Sequence, residues 1–434
     1  MRLELADYPV NEIRLCGTFE YRAGTLAVDQ PALEEMILRD RRIADASLAV
    51  VCPGDKVRIT GIRDIVEPRV KASGNGQVFP GILGPVEAVG AGRTHRLSGM
   101  TVMATAAYEG TVRAGLGVQR SALLDTWGEG AAASKFGGLV HLVLIMRLRE
   151  GLSELDAHTA IQIAEFGVAR RIAETTIGIE ATNLEVFDLG QRDADLPNVV
   201  LVQGCLTDDH HVHSGVSYYG LPIRESLSTI VHPNELLDCA MAVNATRGIG
   251  YFPITWDWQN HPLVLGLYRD HGRRLNFLGM ILQRIRYETF HGKEVIAQNA
   301  AQLATTLGAQ GALVTWLGSG NAFVDVMLTV RACERRGIDT VLVTYEYGGK
   351  DGVDSPLLFY VPEADSVVST GSRDRWLELP EAERLVGPYD RVQILSYPGA
   401  PVAQAQGKLT LDARDMMIGG VDNWGKESWI CNAY

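Results

Sequence analysis

The hydrophobic pattern differs between the first third of the chain and the rest. Up to about residue 130, short runs rich in β-branched residues are separated by turn residues such as the Cys-Pro-Gly-Asp sequence at 52–55. Runs of this kind are typical of strands in a compact antiparallel sheet. We therefore expect a mainly β N-terminal domain over residues 1–130. Its predicted strands lie at 47–51, 56–59, 65–70 and 97–104, and a helix is predicted at 31–40.

From residue 139 onward, continuous apolar runs alternate with segments of helical periodicity. Residues 139–148 predict a buried strand, and apolar residues recur at spacings of three and four over 155–176. The run at 197–203 is apolar almost throughout, as expected of a strand covered on both faces. Similar strands are predicted at 184–189, 312–316, 340–344 and 366–370, with helices at 295–307 and 323–336.

This alternation with short Gly-rich loops predicts a doubly wound, mainly parallel α/β region after the β domain. We divide it into an α/β region at 131–290 and a Rossmann-like C-terminal domain at 291–434. In such sheets, ligands bind outside the carboxyl ends of the strands. The polar residues that follow the predicted strands are therefore the candidates for chemistry.

Composition and charge narrow the class of partner. The 434 residues are 46% hydrophobic and 21% charged, which fits two or three globular domains. A net charge of −12, with no block of five basic residues, argues against a nucleic-acid partner. The apolar runs are far shorter than the roughly 20 residues of a membrane-spanning helix. Six scattered cysteines without a CxxC pair do not indicate a disulfide framework. We therefore expect a cytoplasmic protein, and the short apolar runs indicate no membrane partner.

The densest polar cluster follows the strand predicted at 197–203. Residues 205–214 read Cys-Leu-Thr-Asp-Asp-His-His-Val-His-Ser. Histidines two positions apart in an extended segment face the same side and can bind one ion. Three interpretations stay open, which are a Zn or Fe site, a metal-free polar active site and a solvated loop. The residues concerned are Cys205, Asp209, His210, His211 and His213.

A second motif, His-Pro-Asn-Glu at 232–235, precedes an apolar stretch. One interpretation is a helix start, in which Glu235 lies near the positive end of the helix dipole. The other places His232 across a cleft from the 205–213 segment, with Glu235 orienting the imidazole. In that interpretation both residues are catalytic.

Gly-rich loops follow two later predicted strands. Residues 317–322 read Leu-Gly-Ser-Gly-Asn-Ala, and the Gly320 backbone with Asn321 can hold an anionic substrate group at a helix start. The spacing matches neither the dinucleotide fingerprint nor the phosphate-binding loop, so neither NAD nor ATP is expected. Glu346 and Asp351 follow the next strand and are either substrate-binding carboxylates at the same rim of the sheet or part of a solvated turn.

Arg93 belongs to the turn sequence Gly-Arg-Thr-His-Arg at 92–96. Its guanidinium can clamp a substrate carboxylate. The alternative is a surface ion pair with the acidic remainder of the protein.

Several segments occur in the order found in one known family. The chain resembles the component B subunit precursors of the glycine/sarcosine/betaine reductase complex, and the related D-proline reductase subunit. The resemblance implies a hetero-oligomer in which a second, reductase-like subunit supplies a redox-active thiol or selenol. It also implies a small amino-acid-derived or carboxylated substrate and a role in amino acid metabolism or biosynthesis. The matching segments are 52–56, 65–70, 79–81, 92–95, 229–235, 275–279, 318–321 and 351–352.

One segment departs from the family pattern. The resemblance implies cleavage at a Cys that follows an Asn after the His-Pro-x-Glu motif, which leaves a pyruvoyl group on the second chain. That reaction needs a thiol or hydroxyl to attack the preceding carbonyl. Here Asn244 is followed by Ala245, which has no nucleophile, and elimination from Thr246 would give a ketobutyryl group instead. We therefore expect no self-cleavage and no pyruvoyl group.

The leading hypothesis is an unprocessed homologue of this subunit that acts in a hetero-oligomeric enzyme. A metal ion held by the histidine-rich segment would replace the lost carbonyl, since a metal also polarises substrate groups. Two alternatives remain. One is a metal-dependent lyase or hydrolase that has lost redox chemistry, and the other is a noncatalytic scaffold subunit.

Overall fold

The computed structural model describes residues 1–107, 122–206, 215–223, 227–244, 254–285, 289–318, 320–351, 353–394, 401–425 and 430–431. Within them the fold is mixed α/β, with several sheets and few helices, which confirms the predicted class at this level. None of the helices in these ranges is both long enough and apolar enough to span a membrane.

The elements follow one another along the chain in three groups. The first comprises β1 (Arg2–Asp7), β2 (Glu12–Cys16), β3 (Glu20–Arg22), β4 (Thr25–Asp29), α1 (Gln30–Leu38), β5 (Ile43–Val51), β6 (Val57–Val66), β7 (Arg69–Ser73), β8 (Gly92–Arg96), β9 (Met100–Ala107), β10 (Ala122–Asp125), α2 (Gly128–Ala133), β11 (Val140–Leu148) and α3 (Glu154–Ala173). The second comprises β12 (Asn183–Asp188), β13 (Asn198–Leu206), β14 (Gly215–Tyr218), β15 (Leu221–Pro222), β16 (Ser228–Val231), α4 (Pro233–Leu237), β17 (Met241–Asn244), α5 (Thr255–Gln259), α6 (Pro262–Asp270) and β18 (Asn276–Ile285). The third comprises α7 (Phe290–Leu307), β19 (Gly311–Leu317), α8 (Ala322–Glu334), β20 (Asp339–Glu346), β21 (Val367–Ser372), β22 (Leu377–Leu379), β23 (Arg384–Val386), β24 (Arg391–Gln393), β25 (Val402–Gln404), β26 (Leu409–Leu411) and β27 (Ile430–Cys431).

The N-terminal part contains two larger sheets, with strand orders β12-β1-β8-β7 and β10-β6-β9-β11-β5. Strand β11 lies beyond residue 130 but pairs antiparallel with β5 and parallel with β9. Its alternating side chains are buried on both faces, with Leu142 and Leu144 in one hydrophobic cluster and Val143 in another. The N-terminal sheet therefore extends across the boundary predicted at residue 130.

The C-terminal segments return to this N-terminal sheet. Strand β23 adds to it by pairing parallel with β6. On β6, the fully buried Arg58 forms a bidentate pair with Asp125 at 2.7 and 2.8 Å. The same guanidinium donates to the carbonyls of Pro380, Ala405 and Gly407 at 2.6–2.8 Å. A single buried cation thus joins β6 and β10 to the C-terminal segments at Pro380 and at 405–407.

A seven-stranded sheet, ordered β16-β18-β13-β19-β20-β21-β27, contains the predicted α/β pattern. The five central strands are parallel, and the outer strands β16 and β27 are antiparallel to their neighbours. Because these strands come from both sides of residue 290, the sheet crosses that predicted boundary as well. We call the edge at which Leu206, Leu317, Glu346 and Ser372 end their strands the carboxyl edge.

Side chains of β13 are buried on both faces, as its apolar sequence predicts. Val200 and Val202 lie in one hydrophobic cluster with α7 and α8. Leu201 and Cys205 lie in another cluster with α6.

Helix α7 begins five residues earlier than its apolar periodicity predicts. The reason is a cap at Thr289, whose hydroxyl accepts the Gly292 N–H at 3.2 Å. The helix ends where Gly308 adopts a left-handed φ of 78°.

Candidate active site

The two segments that the sequence singles out for chemistry adjoin neighbouring strands. Strands β14 and β17 are antiparallel, and Gly215 is paired with Asn244. The histidine-rich segment ends immediately before Gly215, and the degenerate processing segment continues immediately after Asn244. The first residue of β14 and the last residue of β17, which adjoin the two segments, are therefore neighbours. The predicted residues Asp209, His210, His211, His213, Ala245 and Thr246 themselves lie outside the described residues.

A buried hydrogen-bond network fixes β17 just before this point. The Val243 carbonyl accepts a hydrogen bond from the Gln162 side chain at 2.9 Å, and its N–H donates to the Thr255 hydroxyl at 3.1 Å. The hydroxyl and the N–H of Thr255 donate to the two oxygens of Asp64 at 2.5 and 2.8 Å. The network holds the chain on both sides of the segment 245–253.

A second buried carboxyl, Glu165, is electrostatically coupled to Asp64. One of its oxygens accepts the Ala104 N–H at 3.2 Å, and the other, Oε2, has no partner among the residues described. Burial raises the pKa of Asp64 to about 7, and burial together with Asp64 raises the pKa of Glu165 well above its usual range. Asp64 accepts three hydrogen bonds and Glu165 accepts one, so Glu165 is the group that keeps its proton at neutral pH.

Sequence analysis did not select these residues. A signal was present in α3, where His158, Gln162 and Glu165 form a polar stripe on the face that is otherwise buried and apolar. Polar residues at spacings of four and three on a core face indicate a buried network.

His232 and Glu235 form a capping box at the start of α4. The His232 imidazole Nδ1 accepts the Asn234 N–H at 3.2 Å, and the Glu235 carboxylate accepts the His232 backbone N–H at 3.1 Å. The other carboxylate oxygen accepts the hydroxyls of Tyr218 and Tyr219, each at 2.8 Å. The Glu235 carboxylate thus contacts the backbone N–H of His232 and two tyrosine hydroxyls, and the catalytic roles of His232 and Glu235 stay predictions.

The capping box matches the helix-start interpretation of the motif, and burial lowers the pKa of His232. Asn234 adds to the structural role of this turn. Its side chain is buried and donates to the carbonyls of Gly90 and Phe187 at 3.0 and 3.2 Å. The start of α4 thus joins the N-terminal part of the chain to β12.

The cysteines nearest these segments are buried thiols. Cys205 is fully buried, and burial raises its pKa, which disfavours the thiolate that a metal requires. Cys239, the thiol closest to Ala245 in sequence among the residues described, receives a hydrogen bond from the Gln259 side chain at 3.3 Å. Burial raises the pKa of Cys239 to about 12. Neither thiol has the exposed, low-pKa environment of a nucleophile.

The Gly-rich loops lie at the carboxyl edge, as the sequence predicts. Gly320 precedes α8, but its N–H already donates to the Tyr347 hydroxyl at 2.9 Å. Asn321 is exposed at the first turn of α8 and makes no capping hydrogen bond. Glu346 ends β20, and Asp351 is exposed in the turn that follows. These four residues share one edge of the sheet.

Arg93 lies on β8, in a different sheet. Its Nε and Nη2 donate to one oxygen of Glu4 at 2.9 and 2.7 Å, and the Arg93 side chain is 46% exposed. This geometry matches the surface-pair interpretation of the motif.

In the part of the chain that the structure describes, no three His, Cys, Asp or Glu side chains lie close enough together to hold a metal ion. The histidine-rich segment 207–214 lies outside that part, so the predicted Zn or Fe site stays a prediction.

The sequence matches the model of one protein family. The glycine/sarcosine/betaine reductase component B subunits match residues 1–428. The betaine reductase complex component B subunit alpha of Peptoclostridium acidaminophilum is 31% identical over 397 residues, which cover 89% of this chain and 88% of the relative. The glycine reductase complex component B subunits alpha and beta of Acetoanaerobium sticklandii are 28% identical, with 89% of each chain covered. The sarcosine reductase complex component B subunit alpha of P. acidaminophilum is also 28% identical, with 91% of each chain covered. No solved structure matches the chain. By its sequence along nearly its whole length, the chain belongs to the family of glycine/sarcosine/betaine reductase component B subunits.

Proposed function

We propose that this chain is an unprocessed member of its family that acts, within a hetero-oligomeric enzyme, on a small amino-acid-derived or carboxylated substrate. The relatives are components of betaine, glycine and sarcosine reductase complexes, which supports both the substrate class and a second subunit. The substrate would bind at the carboxyl edge, near β14 and β17, the strands that adjoin the histidine-rich segment and the degenerate processing segment.

The observation that carries this proposal is the loss of the nucleophile. Ala245 stands after Asn244, at the position where the family resemblance implies the Cys that generates the pyruvoyl group. Cys239 does not replace that Cys, because its thiol is buried, bonded to Gln259 and has a pKa raised to about 12. The residues present therefore do not fit a pyruvoyl group, and no step of the reaction is assigned to one.

The histidine-rich segment is the proposed replacement. In sequence, the histidine-rich segment runs directly into β14, and β14 is paired through Gly215 with Asn244, the last residue of β17 before the degenerate processing segment. We propose that His210, His211 and His213, with Asp209, hold a Zn or Fe ion or transfer protons there. A bound ion would polarise a carbonyl or anchor a carboxylate of the substrate.

Mass spectrometry of the denatured protein tests the loss of processing. We expect one chain of about 47.3 kDa, the mass of the full sequence. Two fragments that break near residue 244 would contradict the proposal. The variant Thr246→Ala removes the remaining hydroxyl, so fragments that disappear in this variant would identify Thr246 as the nucleophile.

Native mass spectrometry tests the metal. We expect an adduct with the mass of Zn or Fe that is lost in His211→Ala and His213→Ala. His291→Ala is the matched control, because His291 is exposed on α7, away from the histidine-rich segment in sequence. A full-length chain without an adduct would leave proton transfer as the role of the histidines.

Coexpression with the neighbouring gene tests the partner. We expect a stable complex in which the second chain carries a reactive thiol or selenol. A partner without such a group would favour a lyase or hydrolase, and a full-length chain that binds neither metal nor substrate would favour a scaffold subunit.

A further inference from the structure

A groove of about 430 Å³ runs between strand β12 and helix α6. Residues 185–187 of β12 form one side, and Leu265, Tyr268 and Arg269 of α6 form the other. Arg273, which also lines the groove, lies in the turn before β18, at the opposite end of that strand from the carboxyl edge. Among the described residues that line this groove, none is a predicted site residue.

Strand β12 has a free side next to this groove. Among the described strands it pairs only with β1, in an unbroken antiparallel register of six residue pairs. Its sequence at 183–188, Asn-Leu-Glu-Val-Phe-Asp, contains neither Pro nor Lys, and its register shows no β-bulge. Proline, lysine and bulges are common means of blocking a sheet edge. A regular edge without them is a template on which another strand can pair.

The hydrogen bonds beside β1 show which way its backbone groups point. Tyr8, just after β1, donates its N–H to the carbonyl of residue 96 at 3.0 Å and accepts the N–H of residue 98 at 3.2 Å. Both partners lie on the β8 side. Because successive residues of a strand point their backbone groups to opposite sides, those of Asp7 point to β12. The Asp7 carbonyl indeed accepts the Thr182 N–H at 2.9 Å.

The same alternation identifies the free backbone groups of β12. The register pairs Asp7 with Asn183, so every second residue from Asn183 onward bonds to β1. The N–H and C=O groups of Leu184 and Val186 therefore face the free side. The Leu184 and Val186 side chains are 42% and 46% exposed on one face of the sheet. An added strand would pair with these backbone groups and cover these side chains.

The groove is cationic, although the protein as a whole has a net charge of −12. Arg269 and Arg273 are exposed, and neither forms an ion pair in the part of the chain that the structure describes. The one carboxylate of the lining residues, Glu185, faces Arg96 at 3.4 Å. Two unpaired guanidiniums beside a free strand edge complement a segment with acidic side chains.

We propose that this groove docks an extended acidic segment of a partner subunit, which adds as a strand to β12 and places carboxylates against Arg269 and Arg273. This inference rests on the hetero-oligomer of the proposed function. Main-chain hydrogen bonds to Leu184 and Val186 supply affinity, and the two arginines supply the preference for acidic sequences. The groove is thus a protein-binding surface, separate from the carboxyl edge.

Fluorescence anisotropy of the full chain with a labelled six-residue peptide of alternating Glu and Val tests the charge preference. We expect this peptide to bind, to bind less tightly as salt is raised, and to bind at least about tenfold more tightly than its Lys and Val counterpart. The double variant Arg269→Glu, Arg273→Glu should weaken binding of the acidic peptide by about tenfold, because each replacement turns an attraction into a repulsion.

Val186→Pro tests the strand addition itself. Proline is tolerated on an edge strand where the missing N–H faces outward, so the fold should persist while peptide binding is lost. Val186→Thr is the matched variant, because it keeps the N–H and the branched shape, and it should bind within about twofold of the unaltered protein. Hydrogen exchange locates the peptide, which should slow exchange in residues 183–188.

Arg335→Glu is the control for charge reversal. Arg335 is 64% exposed and pairs with Glu363, and its helix α8 packs on the opposite face of the seven-stranded sheet from α6. This variant should bind the acidic peptide as the unaltered protein does.

Four results would overturn the proposal. They are equal or absent binding of the two peptides, unchanged binding by the double arginine variant, unchanged exchange in 183–188, and a dimer of the chain alone that Val186→Pro dissociates. The last result would mean that a second copy of this chain occupies the edge.

The two proposals can fail separately. If coexpression gives no complex but the acidic peptide binds to β12, only the second subunit of the proposed function is refuted. If a complex forms and exchange in 183–188 is the same as in the free chain, only this inference is refuted.

Discussion

Asp64 and Glu165 determine, at the scale of single residues, how stability responds to pH. Both carboxyls are fully buried, and both have a folded-state pKa above the unfolded value of about 4. The folded protein therefore binds more protons than the unfolded chain between that value and the raised pKa. Stability from these groups is complete below about pH 4 and is lost as the pH rises through about 7, where Asp64 titrates.

Replacement of Glu165 tests this relation. Glu165→Gln keeps the shape of the neutral acid, so we expect a change of less than about 1 kcal/mol at pH 5 and a flatter decline of stability toward pH 8. Urea denaturation at pH 5, 6.5 and 8 measures it. A decline as steep as that of the unaltered protein would show that Glu165 does not carry the proton.

Asp64→Ala is the companion variant at this scale. It leaves the N–H groups of Ile65 and Thr255 without their acceptor, so we expect a loss of about 3 kcal/mol at pH 5. The loss should be smaller at pH 8, because the contribution of Asp64 falls as the pH rises through its raised pKa. The contrast between the two variants separates the proton-bearing carboxyl from the one that accepts hydrogen bonds.

At the scale of elements, the capping box of α4 is open to a direct test. The motif at 232–235 predicts a helix start, and the structure shows which groups its side chains pair with. Glu235→Ala removes the acceptor for two tyrosine hydroxyls and for the His232 N–H. We expect a loss of about 3 kcal/mol in the free energy of unfolding, measured by urea denaturation. Tyr218→Phe removes one of these bonds and should lose about 1 kcal/mol. A Glu235→Ala variant as stable as Tyr218→Phe would contradict the reciprocal cap.

The sequence predicted elements well where the signal is local. Helix α8 and strands β19 and β20 begin and end within about two residues of their predicted bounds, because apolar runs and helical periodicity depend on neighbouring residues. Pairing between distant segments was not predicted, so the sequence did not indicate that β11 pairs with β5 and β9 across residue 130. The partners of Gln162 and Glu165 on α3 were missed for the same reason, since Val243 and Ala104 are far from α3 in sequence.

At the scale of the whole molecule, Arg58 joins the N-terminal sheet to the C-terminal segments. Arg58→Met would leave Asp125 buried without a cation and three carbonyls without a donor. We expect a loss of about 3–5 kcal/mol and faster limited proteolysis between residues 380 and 407. Lys56→Met is the control, because the Lys56–Glu383 pair is exposed and should contribute no more than about 1 kcal/mol. Equal proteolysis of the two variants would contradict this role.

The pairing of the C-terminal strand β23 with β6 also affects folding during synthesis. Arg58 is synthesised 347 residues before Ala405, whose carbonyl it binds, and the paired residues of β6 are synthesised 327 residues before those of β23. While the ribosome completes the chain, Arg58 has Asp125 as a salt-bridge partner but lacks the C-terminal carbonyls, and residues 57–59 of β6 lack the strand that pairs with them. Long-range pairings of this kind slow folding and expose strand edges to aggregation. Recombinant production should therefore benefit from slower synthesis or added chaperones, and truncation before residue 384 should yield insoluble protein.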